Sequence, residues 1–103
     1  MRTRGQTYWE WVDAQLHCRT HTEVLDCGLS IDVQVRLSRV GTTQLFIGLY
    51  LLEGARVHEE AYSARPGQSM TTALLWGVAR ARELAAAQRL PGEADAVARR
   101  PTV

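Results

Sequence analysis

Four residues between positions 17 and 27 carry side chains that can bind a metal ion. His17, Cys18, His21 and Cys27 supply two imidazoles and two thiols, which are donors that zinc prefers. Adjacent residues on a helix point in different directions, so His17 and Cys18 do not converge on one ion, and no second CxxC or HxxxH pair accompanies them. We therefore predict free thiols, no metal site and no other cofactor.

A second group, His58-Glu59-Glu60, has the residue types of acid–base catalysis. Neighbours on a strand point to opposite faces, so only His58 and Glu60 share a face. The sequence places no nucleophile beside them, and it contains no GxSxG motif, no phosphate-binding glycine loop and no HExxH motif. We predict that the chain is not an enzyme and has no catalytic residues.

Arginines near the C-terminus raise the possibility of nucleic-acid binding. Arg80, Arg82 and Arg89 give one predicted helix a basic side, but Glu83 interrupts it and no exposed aromatic residue is interleaved. The net charge of +1 gives no general attraction to a phosphate backbone. A small DNA-binding protein stays an alternative that we do not favour.

The length of 103 residues predicts a single domain over positions 1–103, with a frayed tail from about residue 93. Met1 to Gly5 carries charges with no apolar segment behind it, and no stretch reaches the roughly 18 apolar residues of a membrane span. We expect a cytoplasmic protein without a membrane partner. A reducing compartment agrees with free thiols at Cys18 and Cys27.

The N-terminal part of the chain predicts one helix followed by a loop. Thr7 and Glu10 have the spacing of a capping box, and an apolar stripe on Tyr8, Trp11 and Leu16 continues the helical period to about Arg19. Residues 20–28 lack a sustained period and are predicted to form a loop.

Three strands and a second helix are predicted after this loop. Residues 29–38 alternate between apolar and polar, residues 44–53 are apolar on both faces, and residues 57–63 form a more polar edge strand. Ser69 is the predicted N-cap of a long helix that ends near Leu90, before Pro91-Gly92, with an apolar face on Leu74, Leu75, Val78, Ala81 and Ala85. The fold class is therefore α+β, with an N-terminal helix, a three-stranded antiparallel meander and a long C-terminal helix packed on the sheet face of Leu29, Ile31, Val33 and Val35.

In such a meander the first and third strands are edges, and either could pair with a second copy of the chain. A homodimer is expected on this ground. The alternative is that Arg36, Arg39, Arg56 and Glu59 protect these edges from pairing.

Aromatic residues crowd the first helix. Tyr8, Trp9 and Trp11 lie within four positions, and Trp9 stands apart from the stripe of Trp11. Large aromatic residues dominate the energetics of protein interfaces, so we predict a partner-binding surface on this helix and the adjacent sheet, made of Tyr8, Trp9, Trp11, Val12, Leu16, Phe46 and Tyr50. The alternative is that some of these residues anchor the helix to its own sheet. For Trp76, the neighbours Leu74 and Leu75 favour the core.

Three segments resemble a known family in size, order and composition. These are the helix with TYWEW at 7–11, the meander from Leu29 to Ser63, and the helix that opens with SMTTALLW at 69–76. Together they resemble the QslA-type quorum-sensing anti-activators of pseudomonads. The resemblance implies a homodimer that binds the ligand-binding domain of a LuxR-type transcription activator and blocks its dimerisation and DNA binding. A small dimeric assembly or protein-interaction module of another pathway is the alternative.

Overall fold

The computed structural model describes residues 2–88. Its elements are α1 (Gln6–Trp11), β1 (Arg19–Val24), β2 (Leu29–Leu37), β3 (Thr43–Leu51), β4 (Arg56–Tyr62) and α2 (Met70–Ala87). The strands form one antiparallel sheet in the order β1-β2-β3-β4, with the two helices on opposite faces. The α+β class is confirmed, whereas the predicted end of α2 at Leu90, the Pro91-Gly92 stop and the tail from residue 93 lie outside the described residues.

The sheet has four strands, so the prediction of three strands is wrong. Residues 19–24, predicted as loop, form β1 and pair with β2 from Arg19 opposite Val35 to Val24 opposite Ser30. This pairing makes β2 an inner strand instead of an edge. Charged and hydroxyl side chains alternate along β1 without an apolar face, so hydrophobic periodicity does not reveal the strand.

The first helix is shorter than predicted and ends at Trp11 instead of Arg19. Val12 already has an extended backbone, and the Asp13 side chain accepts a hydrogen bond from the N–H of Gln15 at 2.9 Å. This local side-chain bond offers the backbone an alternative to the helix. Val12 and Leu16 therefore lie beyond α1, not on its stripe.

The predicted capping box of Thr7 and Glu10 does not form. The helix starts after Gly5, which provides no side-chain cap. Instead, the Glu59 carboxylate of β4 accepts hydrogen bonds from the N–H of Gly5 at 3.0 Å and from the N–H of Tyr8 at 3.2 Å. A carboxylate near the first turn also has a favourable interaction with the helix dipole, so β4 caps α1 through a tertiary contact.

The main core lies between α2 and the sheet, as predicted. Seven apolar side chains of β2 and β3 meet the small residues of α2; they are Leu29, Ile31, Val33, Val35, Leu45, Ile47 and Leu49. Ser69 caps α2 by accepting a hydrogen bond from the N–H of Thr72 at 3.1 Å, which confirms the predicted helix start. A Cβ atom added at Gly77 would lie 2.7 Å from Cγ1 of Val33, so the helix lies very close to the sheet.

Leu75 and Trp76, near the start of α2, differ in how far they are buried. Leu75 was predicted on the apolar face, but it is 67% exposed, so that assignment is wrong. Trp76 is partly buried and packs against the core, with the Arg65 guanidinium 3.9 Å from its ring centroid. The core assignment of Trp76 is thus the better description.

The opposite sheet face has an incomplete cover. Phe46 and Tyr50 of β3 are fully buried there, so β3 is covered on both faces, as predicted. Within the described residues, α1 lies over β3 and β4 and reaches β2 through the stacking of Trp11 on Arg36. The side chains of β2 on this face, such as Asp32, are buried, whereas no helix lies over β1. No helix between residues 2 and 88 is both long enough and apolar enough to cross a bilayer.

Candidate functional site

Two of the aromatic residues of α1 form the core of the second layer. The rings of Tyr8 and Trp11 lie 5.3 Å and 5.6 Å from the ring of Phe46, measured between centroids. Trp11 is only 7% exposed, and the Arg36 guanidinium lies 3.9 Å from its ring centroid. Trp11 and Tyr8 therefore anchor α1 to the sheet.

Trp9 points away from this core. Its ring is 64% exposed and touches only the edge of Tyr8 among the aromatic rings of the described residues, at 5.2 Å between centroids. Successive residues of a helix are about 100° apart around its axis, so Trp9 cannot share the buried side of Tyr8 and Trp11. It is the one aromatic among the exposed large apolar side chains of residues 2–88.

A buried polar network holds the N-terminal segment on the sheet. The Arg4 Nη1 atom lies 2.6 Å from Oδ2 of Asp32 and 3.0 Å from the Tyr50 hydroxyl. Tyr50 in turn donates to Glu59 at 2.7 Å; burial, and next this hydrogen bond, raise the pKa of the phenol well above its usual range. The guanidinium of Arg4 also stacks on Tyr8, 4.2 Å from the ring centroid. These contacts fix α1, and with it the position of Trp9.

The sheet face beside α1 remains open over β1. Thr20 and Thr22 lie on this face because they stand opposite Gln34 and Asp32 in the ladder, and both are exposed. Val24 and Leu52, also exposed, line a depression of about 220 Å³ at one end of the same face. We call Trp9, Thr20, Thr22, Val24 and Leu52 the open face.

The seven residues predicted to bind a partner separate into three groups. Trp9 is exposed, Tyr8, Val12 and Leu16 are partly buried, and Trp11, Phe46 and Tyr50 are buried. A partner reaches Trp9 directly but meets Phe46 and Tyr50 only if α1 leaves the sheet. The β1 residues of the open face were not predicted from the sequence, although the alternating β-branched residues Thr20, Thr22 and Val24 are typical of a strand.

A shallow depression on the other flank of α1 has a volume of about 350 Å³. Its lining includes Trp11 and Arg36, whose Nε1 and Nη1 atoms have no hydrogen-bond partner among residues 2–88. The Arg36 Nε atom is bound to Gln44 at 2.8 Å, and its guanidinium faces the Trp11 ring. Both unpartnered atoms are buried from solvent, so the depression does not present them to a ligand.

The predicted pair of His58 and Glu60 shares one sheet face, on the side of α2. The Glu60 carboxylate contacts His58 Nε2 at 2.9 Å, Arg80 Nε at 3.1 Å, and the Tyr62 hydroxyl. Burial alone would raise the pKa of Glu60, but the hydrogen bonds from Arg80, Tyr62 and His58 outweigh it and lower the pKa to about 2. Glu60 is thus an ionised structural carboxylate with both oxygens engaged, which does not suit a proton-transferring group near neutral pH.

The candidate metal ligands do not converge. Within residues 2–88, no three side chains of His, Cys, Asp or Glu come together in a group that could hold a metal ion. Cys18 and Cys27 are free thiols, and burial raises the pKa of Cys18, which favours its protonated form. The arrangement offers neither a zinc site nor an activated thiolate at Cys18.

The basic side of α2 is bound to the sheet. Arg80 pairs with Glu60 at 3.1 Å, and Arg82 pairs with Glu23 at 2.7 Å. Arg89 lies outside the described residues. These ion pairs offset the positive charge that a nucleic-acid phosphate would contact.

Comparison with protein-family models, curated proteins and solved structures finds no match to this chain. Function is therefore inferred from the geometry of the described residues. The feature that stands out in this geometry is the open face, where exposed Trp9 of α1 and the exposed side chains of β1 lie on the same side of the sheet.

Proposed function

We propose that this chain is a non-enzymatic regulatory protein that binds another protein through the open face, with Trp9 as the anchor. The observation that carries the proposal is the position of Trp9, which leaves 64% of its surface exposed on a helix fixed by buried contacts. Tryptophan is enriched among the residues that dominate binding energy. Because the helix is already fixed, its backbone needs no further ordering when the partner arrives, which lowers the entropic cost of binding.

Exposed sheet residues on the same side as α1 are proposed to supply the rest of the contact area. Thr20, Thr22 and Val24 present short side chains without charge, and Leu52 extends the apolar part at the end of the face. A stable interface buries about 800 Å² on each partner, which is more than Trp9 alone provides. The exposed side chains of β1 are therefore part of the proposed surface.

The resemblance to the quorum-sensing anti-activators supplies the partner class. The proposed partner is the ligand-binding domain of a LuxR-type transcription activator in the cytoplasm. An activator of this kind contacts paired DNA half-sites as a symmetric dimer. A protein that occupies the dimerisation surface leaves each activator with one half-site, so DNA binding is lost without any chemical reaction.

The charges of the described residues support a protein partner over DNA. Arg80 and Arg82 are already paired with carboxylates, and Arg2 is the basic residue in the lining of the depression beside Val24 and Leu52. Binding to DNA depends on releasing counterions from phosphates and therefore needs free cations. A contact centred on Trp9 is instead expected to depend little on salt.

Trp9→Ala tests the proposed surface. The variant is expected to weaken binding to the ligand-binding domain of a LuxR-type activator from the same organism by about 30-fold, because loss of an interface hot spot costs roughly 2 kcal/mol or more. Its melting temperature should stay that of the parent, since Trp9 is mostly exposed. Isothermal titration calorimetry with the purified domain measures the change.

Leu75→Ala is the matched control. Leu75 is as exposed as Trp9 but lies on α2, on the other side of the sheet. The control is expected to bind with the affinity of the parent. Unchanged binding by Trp9→Ala, or an equal loss in the control, would remove Trp9 from the proposed site.

A further inference from the structure

The outer edge of β1 offers backbone groups to a further strand. In the described part of the chain, β1 has one neighbour, β2. The N–H of Leu25 donates to the carbonyl of Leu29 at 2.8 Å, next to the pair of Val24 and Ser30. Backbone groups of an antiparallel strand alternate in direction, so residues 19, 21 and 23 bond to β2 while Thr20, Thr22 and Val24 direct N–H and C=O groups outward.

We infer that a second copy of this chain pairs with β1 in antiparallel orientation, about a two-fold axis at His21. This axis places Thr20 opposite Thr22 of the second copy, so that residues with outward backbone groups meet each other. The two sheets then continue as one sheet of eight strands. This inference concerns the isolated protein and does not depend on the proposed binding of an activator.

Charge complementarity selects this register. With the axis at His21, Arg19 stands opposite Glu23 of the second copy, and the symmetry produces the pair twice. Shifting the axis to Thr20 places Arg19 opposite His21 of the second copy. Shifting it to Thr22 places Arg19 opposite Leu25 and Glu23 opposite His21, so the pairs between guanidinium and carboxylate are lost. Opposite charges across a ladder stabilise pairing, and pairs of threonine do so too.

Glu23 and Arg19 have further polar atoms that can make these contacts between the two copies. Glu23 bonds to His21 at 3.0 Å and to Arg82 at 2.7 Å through Oε1 alone, which leaves Oε2 without a partner among residues 2–88. Arg19 is exposed and uses Nη1 for Thr71 at 2.9 Å. Its other two guanidinium nitrogens have no partner within residues 2–88 and can contact a second copy.

At the other edge of the sheet, on β4, the carboxylates that could pair with a second copy are already engaged. The middle residue of β4 is Glu59, so a two-fold axis at its centre places two glutamates opposite each other. Like charges in this position oppose pairing. Both oxygens of Glu59 are also engaged by Gly5, Tyr8 and Tyr50. An axis at His58 would place Arg56 opposite Glu60, but both Glu60 oxygens are already engaged by His58, Tyr62 and Arg80. The inference is therefore specific to β1.

A charge swap tests the interface. Arg19→Glu and Glu23→Arg each replace two attractive pairs by two repulsive pairs, and each is expected to raise the dimer dissociation constant roughly tenfold or more. An equimolar mixture of the two variants restores both pairs, because one chain then carries two glutamates and the other two arginines. Sedimentation equilibrium should show a dimer for the parent and the mixture and weaker self-association for each variant alone.

The register is tested by cross-linking in a Cys18→Ser, Cys27→Ser background. At His21 the two copies form a non-hydrogen-bonded pair with Cα atoms about 4.5 Å apart, which suits a disulfide. His21→Cys is expected to oxidise to a covalent dimer faster than Thr22→Cys, with melting curves confirming that both variants are folded. A monomeric parent at every concentration, no recovery in the charge-swap mixture, or faster cross-linking at Thr22 would overturn the inference.

Discussion

Arg4→Met is expected to destabilise the fold by about 3–5 kcal/mol, because it removes the cation from a buried ion pair. Asp32 is 1% exposed, and Arg4 lies 2.6 Å from its carboxylate. Without Arg4, the amide of Gln34 at 2.9 Å is the remaining side-chain donor to Asp32 among the described residues. Small domains have a total stability of about 5–15 kcal/mol, so urea unfolding should show a large shift of the midpoint.

A double variant separates the ion pair from simple packing. Asp32→Asn removes the charge that Arg4 neutralises, so Arg4→Met in that background is expected to cost less than in the parent. The difference between these two costs is the coupling energy of Arg4 and Asp32. For residues in direct contact the coupling energy is about 0.5–3 kcal/mol. Equal costs in both backgrounds would show that Arg4 acts through its stem and its contact with Tyr8 instead of through charge.

Trp11→Ala is expected to cost about 3–5 kcal/mol, in contrast to the near-neutral effect on stability of Trp9→Ala. Trp11 is 7% exposed and lies between Phe46 and the guanidinium of Arg36. Its removal leaves a cavity in the thin layer between α1 and the sheet. Thermal melting followed by circular dichroism measures both variants.

Similar losses of stability for Trp9→Ala and Trp11→Ala would show that both rings are core. That result would contradict the assignment of Trp11 to the core and of Trp9 to the partner-binding surface. Little loss for Trp11→Ala would show that α1 is held by the polar network around Arg4 alone. Leu75→Ala provides the reference for an exposed apolar residue, because its side chain is 67% exposed on the other layer.

Elements with a strong hydrophobic period could be predicted from the sequence. In β2, alternate apolar residues face α2, and β3 is apolar on both sides because a helix covers each face. The start of α2 at Ser69 was also predictable, since its hydroxyl caps the helix through a residue three positions away. These features depend on residues that are close in sequence, or on the burial of apolar side chains, which the apolar pattern of the sequence shows.

Features that depend on distant contacts could not be predicted in this way. β1 has no apolar face, and its conformation comes from pairing with β2. The start of α1 is fixed by Glu59, more than 50 positions away from Gly5. The sequence left open whether Trp9 and Trp11 are core or contact residues, and the structure separates them because a short helix lying on the sheet buries one side only.

Light scattering coupled to size-exclusion chromatography tests the central claim most directly, with the ligand-binding domain of a LuxR-type activator mixed with an excess of this chain. The activator domain is expected to be a dimer when alone and to elute, after mixing, in a complex whose mass includes this chain. In that complex the two activator domains should no longer contact each other. Loss of a cross-link across their dimer interface would show this. The Trp9→Ala variant should leave that cross-link intact. An activator dimer that persists beside the excess of parent chain, without a complex, would contradict the account.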